Sequence, residues 1–405
     1  DRDADRVSRL QAGVSPIHEP GLDTLIAKNV AAGRLGFTTD LAAAVADVDV
    51  VFIAVGTPAR RGDGHAELGH VFDAARQIAV ALTGPALVVI KSTVPIGTNR
   101  RIAAVLRDAR PDLALEVASN PEFLREGAAF EDFMRPDRVV VGAESETARA
   151  TMRAVYRPLS LRETPMLMTG LETAELVKYA ANAFLAMKVT FINEIADLCE
   201  RAGADVQEVA RGLGLDGRIG AKFLHPGPGY GGSCFPKDTL ALARVARDLG
   251  APVRLVETTI EVNDARKRRM VDKIADALDL RLAGRRIAVF GVTFKPETDD
   301  MREAPSLTIV PALIGAGATV AICDPVGRRE GEALLPGATW EDDPYAAAAG
   351  ADAVVLLTEW NMFRGLDLRR LRAVMVGDAL IDLRNVWRPG EVRAAGLAHI
   401  GVGKG

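Results

Sequence analysis

Short, continuously apolar runs recur in two regions of the chain, each closing on small or polar residues. VDVVFIAVGTP (48–58), ALVVIKSTVPIGT (86–98) and LALEVASNPEF (113–123) form one set, followed by PDRVVVG at 136–142. RRIAVFGVTF (285–294), ATVAICDP (318–325), ADAVVLLTEW (351–360) and ALIDLRN (379–385) form the other. A strand without polar alternation is buried on both faces. Helical stretches such as FDAARQIAVAL and RRIAAVLRDA separate these strands, which predicts parallel sheets covered by helices. Between the two sets, residues 171–202 contain neither proline nor glycine. At 1.5 Å per residue, ~32 residues make a helix ~48 Å long, more than one domain needs.

The fold expected is therefore α/β, with two Rossmann-like doubly wound parallel-sheet domains joined by a long central helix. The boundaries expected are 1–169 for the first domain, 170–280 for a central helical segment and 281–405 for the second domain. A chain of 405 residues, 48% hydrophobic and 26% charged, has material for such cores. Its formal charge of -4 leaves no basic footprint for nucleic acid or an anionic membrane. Any phosphate must be met by local groups. Cys199, Cys234 and Cys323 lie far apart without a CxxC or Cys/His cluster, which argues against a disulfide scaffold or a metal site and for a reduced cytoplasmic protein. No apolar run is long enough to span a bilayer.

In parallel sheets ligands lie beyond the carboxyl ends of the strands, which directs attention to Thr57, Lys91, Ser92, Thr93, Asn120, Glu122 and Glu126. Each has a plain alternative. Thr57 and Thr93 can cap the next helix or turn. Asn120-Pro121 reads as an N-cap followed by a first-turn proline, with Glu122 and Glu126 on one face complementing the helix dipole. On the long helix, Lys178 and Asn182 share a face and reach either solvent or a polar site. Asp1 stands where the second strand of a dinucleotide unit ends in a ribose-binding acid, or is simply a polar terminal residue. The glycine fingerprint that should lie ~20 residues before it is not in the sequence, so the expectation is a chain lacking its first strand, phosphate loop and helix.

The densest signal lies at 218–238, RIGAKFLHPGPGYGGSCFPKD. Five glycines and three prolines between Gly220 and Pro236 exclude a regular helix or strand and predict a rigid loop. Cys234 sits at its far end with Lys237 and Asp238 close behind. A cation beside a thiol favours the nucleophilic thiolate; the alternative is a small buried hydrophobe. The second domain has no G-x-G-x-x-G, and a second dinucleotide is not expected there. Its first strand runs instead into FKPETDDMREAPS, a polar loop entering a helix N-terminus and suited to anionic groups.

GPGYGGSCFPKD closely resembles the active-site loop of the UDP-glucose/GDP-mannose dehydrogenase family. VGTP, KSTVPIGT, NPEFLREG and FKPETDDMRE are similar to further motifs of that family and occur in its order, as does SPIHEPG at 15–21. The last motif departs from the family pattern only in Ala304, where the family has serine. The resemblance covers essentially the whole chain. It implies that Cys234 is the nucleophile, that Lys178 and Asn182 stabilise an oxyanion, that Asp238 and Thr93 position the catalytic water, and that Glu122 promotes thioester hydrolysis.

For the cofactor NAD, the resemblance implies contacts from Asp1, Arg6, Thr57, Thr93, Glu126, Lys237 and Arg302. For the sugar nucleotide it implies Glu122, Phe123, Leu124, Arg125 and Glu126, then Lys178 and Asn182, then Arg218, Phe223, Leu224, His225, Pro226, Gly227 and Gly231, and finally Lys295, with Arg384 a weaker candidate. Arg218 is expected to reach the neighbouring subunit's sugar in a homodimer built on the central helix. The activity implied is NAD-dependent four-electron oxidation of UDP-glucose to UDP-glucuronate through a Cys234 thiohemiacetal and thioester. FLHPGPGYGGSCFPKD looks most like the UDP-glucose group. The alternatives are GDP-mannose or UDP-N-acetylmannosamine as substrate, or a non-catalytic fragment of the same fold.

Overall fold

The structure, a computed structural model, describes residues 1–405 apart from 18, 59, 61–64, 161–163 and 405. Residue 18, within the SPIHEPG segment, therefore lies outside the described residues. The chain forms two compact units, one of residues 1–181 with 240–252 and the other of 182–239 with 253–405.

The first unit holds a five-stranded sheet in the order β1 (Val50–Ile53), β2 (Ala86–Ile90), β3 (Leu115–Ser119), β4 (Val139–Ala143), β5 (Met166–Thr169). Side chains alternate between its two faces. Val88 and Ile90 pack with Ile78 and Ile102, whereas Leu87 and Val89 pack with Met152 and Tyr156. Burial on both faces is why the strands read as unbroken apolar runs.

The sheet is not wholly parallel. β4 runs against β3, pairing through Ala118↔Ala143 and Ser119↔Gly142. A parallel return needs a substantial crossover, and the only helix between β3 and β4 is the six-residue Ala129–Met134. Consequently β1, β2 and β3 alone bring carboxyl ends to a common edge. The helix expected at Asn120 is also displaced: residues 120–125 are non-helical. Asn120 does not cap. Its Nδ2 donates to Val140 O at 2.8 Å, fastening β3 to β4 instead.

The second unit holds a six-stranded parallel sheet: β6 (Arg286–Phe290), β7 (Thr319–Cys323), β8 (Thr339–Trp340), β9 (Ala353–Leu356), β10 (Ala379–Asp382) and β11 (Ala398–Gly401), in the order β11-β10-β9-β6-β7-β8. Strand order reverses between β6 and β9, the switch point at which doubly wound sheets bind ligands. Ile287, Val289 and Ile381 enter one core, and Ala288, Phe290 and Leu380 the other. The long helix runs Leu171–Ala202. It stops at Gly203 (φ 71°), where Ala204 N–H bonds Cys199 O at 3.0 Å.

The turn after β6 shows what became of the dinucleotide loop in this unit. Asp324, at the end of β7, turns back so that Oδ2 accepts Val292 N–H (2.7 Å) and Thr293 N–H (3.3 Å), while Oδ1 accepts Val326 N–H (3.0 Å) and Gly327 N–H (2.7 Å). The backbone donors that would meet a phosphate are thus held by a carboxylate of the chain itself. Gly291 opens this turn at φ 76°, and a Cβ there would lie 2.5 Å from Thr358 Cβ. Gly291→Ala is expected to destabilise the second unit by about 2 kcal/mol or more, seen as a lowered thermal midpoint. Gly390→Ala, where nothing lies within 4 Å of the added Cβ, should leave that midpoint unchanged or raise it.

Candidate active site

In the second unit the glycine-rich loop has few side chains with which to hold itself, and buried polar groups hold it by its backbone. Asn193 Oδ1 accepts Gly227 N–H at 2.8 Å, and Arg266 Nε donates to Gly227 O at 3.1 Å. Asn263 brackets Tyr230, accepting its N–H (2.8 Å) and donating to its carbonyl (3.2 Å). Gly232 N–H bonds Arg302 O at 2.8 Å, tying the loop to the FKPETDDMRE segment. At Gly231 a Cβ would lie 2.4 Å from Glu303 O, so the two backbones approach as closely as glycine alone permits.

The loop delivers Cys234 to the start of a helix, Phe235–Asp248, whose first bond runs from Asp238 N–H to Cys234 O at 2.9 Å. The expected rigid loop therefore ends at the sulfur. The positive end of a helix dipole favours a thiolate there, whereas Lys237, the cation expected beside the thiol, is paired with Asp238. Cys234 is partly exposed, and Ser233 Oγ lies 3.4 Å from its sulfur. Lys237 Nζ pairs with Asp238 Oδ1, and Asn182 Nδ2 donates to Asp238 Oδ2 at 2.6 Å. Asp238 is fully buried between these two partners. Phe235 packs against Phe223 and edge-on against Tyr230, both with ring centroids at 5.9 Å.

Other predicted residues fall around the same loop. Leu224 is buried in the core, so its backbone is what remains for a ligand, whereas His225 is exposed and Pro226 buried. Gly227 packs on Arg384, whose Nε donates to Leu357 O (2.7 Å) and Nη2 to Phe294 O (3.3 Å) while the group pairs with Glu359 at 3.2 Å. Arg384 thereby links the residues following β6, β9 and β10 at the switch point. Lys295 Nζ lies over the Phe294 ring at 5.4 Å. Arg302 is gripped by both Asp300 oxygens at 2.8 Å. Arg218 pairs with Asp216 and is 90% exposed.

In the first unit Thr57, Thr93 and Glu122 follow the ends of β1, β2 and β3. Neither threonine caps a helix. Thr57 Oγ1 donates to Thr93 O at 2.8 Å, both residues are buried, and the helix after KSTVPIG is capped by Gly97. Glu122 Oε1 pairs with buried Lys178 Nζ at 3.2 Å, and its Oε2 accepts Leu124 N–H at 2.6 Å. The Phe123 ring lies under Arg138 (3.9 Å) and Lys178 (5.3 Å). Arg125 is held by Asp132. Glu126, partly buried, does not share a helical face with Glu122, because no helix forms there. Asp1 and Arg6 form an ion pair at 3.2 Å.

This chain belongs to the UDP-glucose/GDP-mannose dehydrogenase family. It matches the family's NAD binding domain over residues 1–160, its central domain over 172–265 and its UDP binding domain over 288–389. It is 57% identical over 406 residues to a UDP-glucose 6-dehydrogenase of Rhizobium meliloti, an alignment covering all of this chain and 93% of that protein. The structure of a UDP-glucose dehydrogenase from Pyrobaculum islandicum superposes with a TM-score of 0.92 at 39% identity, covering 100% of this chain and 91% of the other. A UDP-D-ManNAc dehydrogenase from Pyrococcus horikoshii gives 0.88 at 26% identity, with coverages of 100% and 93%.

A member of this family needs room for NAD. At the end of β1, nothing lies within 4 Å of where a Cβ on Gly56 would sit, leaving the VGTP backbone open to a closely approaching ligand. The residues present fit that group.

One residue that sequence reasoning missed fixes this edge. Glu175, buried on the long helix, accepts Gly97 N–H (2.6 Å), Asn99 N–H (2.7 Å) and Asn99 Nδ2–H (2.7 Å), closing the start of the helix after KSTVPIG. Burial raises its carboxyl pKa against the pull of these donors. A carboxyl raised above its unfolded value contributes stability that is complete below that value and lost as pH rises through the folded one. Glu175→Ala is expected to cost about 3 kcal/mol in chemical unfolding, since buried donors lose their acceptor. Glu175→Gln, which keeps one acceptor, should cost less and remove this pH dependence.

Proposed function

We propose that this protein oxidises the C6 alcohol of UDP-glucose to a carboxylate in two steps, giving UDP-glucuronate. The observation that carries the chemistry is the partly exposed thiol of Cys234 at a helix N-terminus, one turn before an Asp238 clamped by Asn182 and Lys237. The 57% identity to a UDP-glucose 6-dehydrogenase supports the choice of sugar. Asp1, Arg6, Thr57, Thr93, Glu126, Lys237 and Arg302 would hold NAD, which would supply the hydride acceptor for each oxidation.

A simple alcohol dehydrogenase has no use for a thiol; a four-electron oxidation does. The Cys234 thiolate adds to the C6 aldehyde, forming a C–S bond, and the resulting oxyanion takes a proton to give a thiohemiacetal. Lys178 and Asn182 stabilise the negative charge on oxygen. The thiohemiacetal gives its hydroxyl proton to water as hydride leaves C6, and a thioester remains. Water held by Asp238 and Thr93 then attacks, Glu122 takes its proton, the C–S bond breaks, and the thiolate returns as the acid forms. Lys295 and Arg384, at the switch point, hold the nucleotide's phosphates. A thiol nucleophile suits a reducing, cytoplasmic compartment.

The same reading makes the long helix a dimer core. Phe184, Phe191 and Leu198 stand seven residues apart on it and are 57%, 48% and 61% exposed. Seven residues make two turns, so these large apolar groups form one stripe that a second copy would cover. Across such an interface, Arg218 reaches the partner's sugar.

Cys234→Ala is expected to lower UDP-glucuronate formation by at least about 10³-fold, followed by NADH absorbance and chromatography of the product. Undiminished acid from this variant would rule out the covalent route, and preferential turnover of GDP-mannose or UDP-N-acetylmannosamine would move the assignment to another sugar. Phe191→Asp is expected to convert the dimer to a monomer in sedimentation analysis; a wild type that sediments as a monomer would remove the helix-core reading.

A further inference from the structure

Asp197, in the last two turns of the long helix, is met by two arginines of the helix Arg254–Asp276, and the two contacts differ in kind. Its Oδ2 lies 2.9 Å from Arg269 Nη1, on a side chain 48% exposed. Its Oδ1 accepts from Nη1 of Arg266, a side chain only 1% exposed. Ion pairs open to water contribute little, whereas a buried guanidinium deprived of its counter-charge is strongly destabilising. The other contacts of Arg266 are with neutral groups. Nη1 also donates to Asn193 O at 3.2 Å and Nε to Gly227 O at 3.1 Å, while Nη2 has no hydrogen-bond partner among the described residues. Burial lowers the pKa of Arg266, and Asp197 works against that shift.

Gly227 has both backbone groups committed, its N–H to Asn193 and its carbonyl to Arg266. It is also crowded, since a Cβ on it would lie 3.1 Å from Arg384 Nη1. A peptide so fixed passes a displacement of Arg266 on to the loop that ends at Cys234 and to the Arg384 guanidinium.

We propose that Asp197 is a positioning residue for the Cys234 loop: by holding the Arg266 guanidinium it fixes the Gly227 peptide, and through that peptide the place of the thiol and of Arg384. The consequence for turnover rests on the dehydrogenase reading above; the consequence for the loop does not. A neighbouring ion pair supplies the contrast. Glu200 Oε1 meets Lys273 Nζ at 2.8 Å and joins the same two helices, yet Lys273 makes no hydrogen bond to the loop among the described residues. If Asp197 merely tied helix to helix, its loss would resemble that of Glu200.

The test uses the whole protein well below the thermal midpoint of every variant. In Asp197→Asn, which removes the charge and keeps the shape, hydrogen exchange read by mass spectrometry should quicken about tenfold or more in peptides containing Gly227 and Tyr230 and stay unchanged in β6. Turnover of UDP-glucose should fall about 10²-fold in kcat with a raised KM, the penalty of a reacting group displaced by about 1 Å, while the Kd for NAD by calorimetry should not move. Asp197→Glu, which keeps the charge, should recover most of the rate. Arg269→Met and Glu200→Gln should leave exchange in the loop and kcat within about twofold of wild type. Loop exchange and kcat in Asp197→Asn no different from those in Glu200→Gln would overturn the proposal.

A double-mutant cycle covers the case in which Asp197→Asn does not fold. Arg266→Met removes the buried charge together with the need to neutralise it, so adding Asp197→Asn to that variant should leave loop exchange as it is. A further increase would show that Asp197 does not act through Arg266 and would overturn the proposal. A wild type inactive on UDP-glucose, with loop exchange responding to Asp197→Asn as described, would support the positioning role and tell against the substrate reading alone.

Discussion

On the proposed reading the Cys234 thiol meets a sugar carbon and has to be held to within a fraction of an ångström, yet the segment that carries it is among the least able to hold itself. Its glycines let it pass close to its neighbours, at Gly231 beside the Glu303 backbone and at Gly232 beside the Phe294 ring, but they give it little to anchor with. Precision comes from outside. Asn193 from the long helix and Asn263 and Arg266 from the helix Arg254–Asp276 fix the loop by its amides and carbonyls. Arg266 is almost wholly buried and pairs with Asp197, and burial lowers its pKa in spite of that partner. Its Nε donates to the loop at Gly227 O, and its Nη1 meets the Asn193 carbonyl and Asp197.

These supports were the least legible part of the sequence. The helix Arg254–Asp276 reads as a charged, solvated surface, and nothing local marks Asn263, Arg266 and Lys267 as buried. Asn193 carried a usable signal: it lies eleven residues after Asn182, three helical turns, and so on the same face of a mostly apolar helix. The strands were legible because both faces of each sheet are covered. β5, β8 and β11 were not, being edge or very short strands with one neighbour each and no continuous apolar signature. The reversal of β4 was invisible for another reason, since strand direction depends on the connection and not on the residues of the strand.

Around Asn120 local pattern and tertiary demand disagree. Asn-Pro-Glu is a good helix start, but the asparagine is needed by Lys91, Tyr156 and Val140, and the helix yields its first two turns. Glu19, from SPIHEPG, then supplies the missing end group by accepting Gly127 N–H (2.8 Å) and Ala129 N–H (2.7 Å). Two carboxylates from distant parts of the chain, Glu19 and Glu175, thus close two helix starts near the strand ends that local sequence leaves open. The VGTP and KSTVPIGT motifs are legible because they resemble those of a family. The residues that make them rigid belong to other segments.

Asp324 carries a different lesson about duplicated folds. By seating its own carboxylate among the amides after β6, the second sheet has become its own inhibitor at the place where its architecture would otherwise capture a free nucleotide. Anyone wishing to graft a second coenzyme onto this half of the chain must first evict a tenant that is covalently attached.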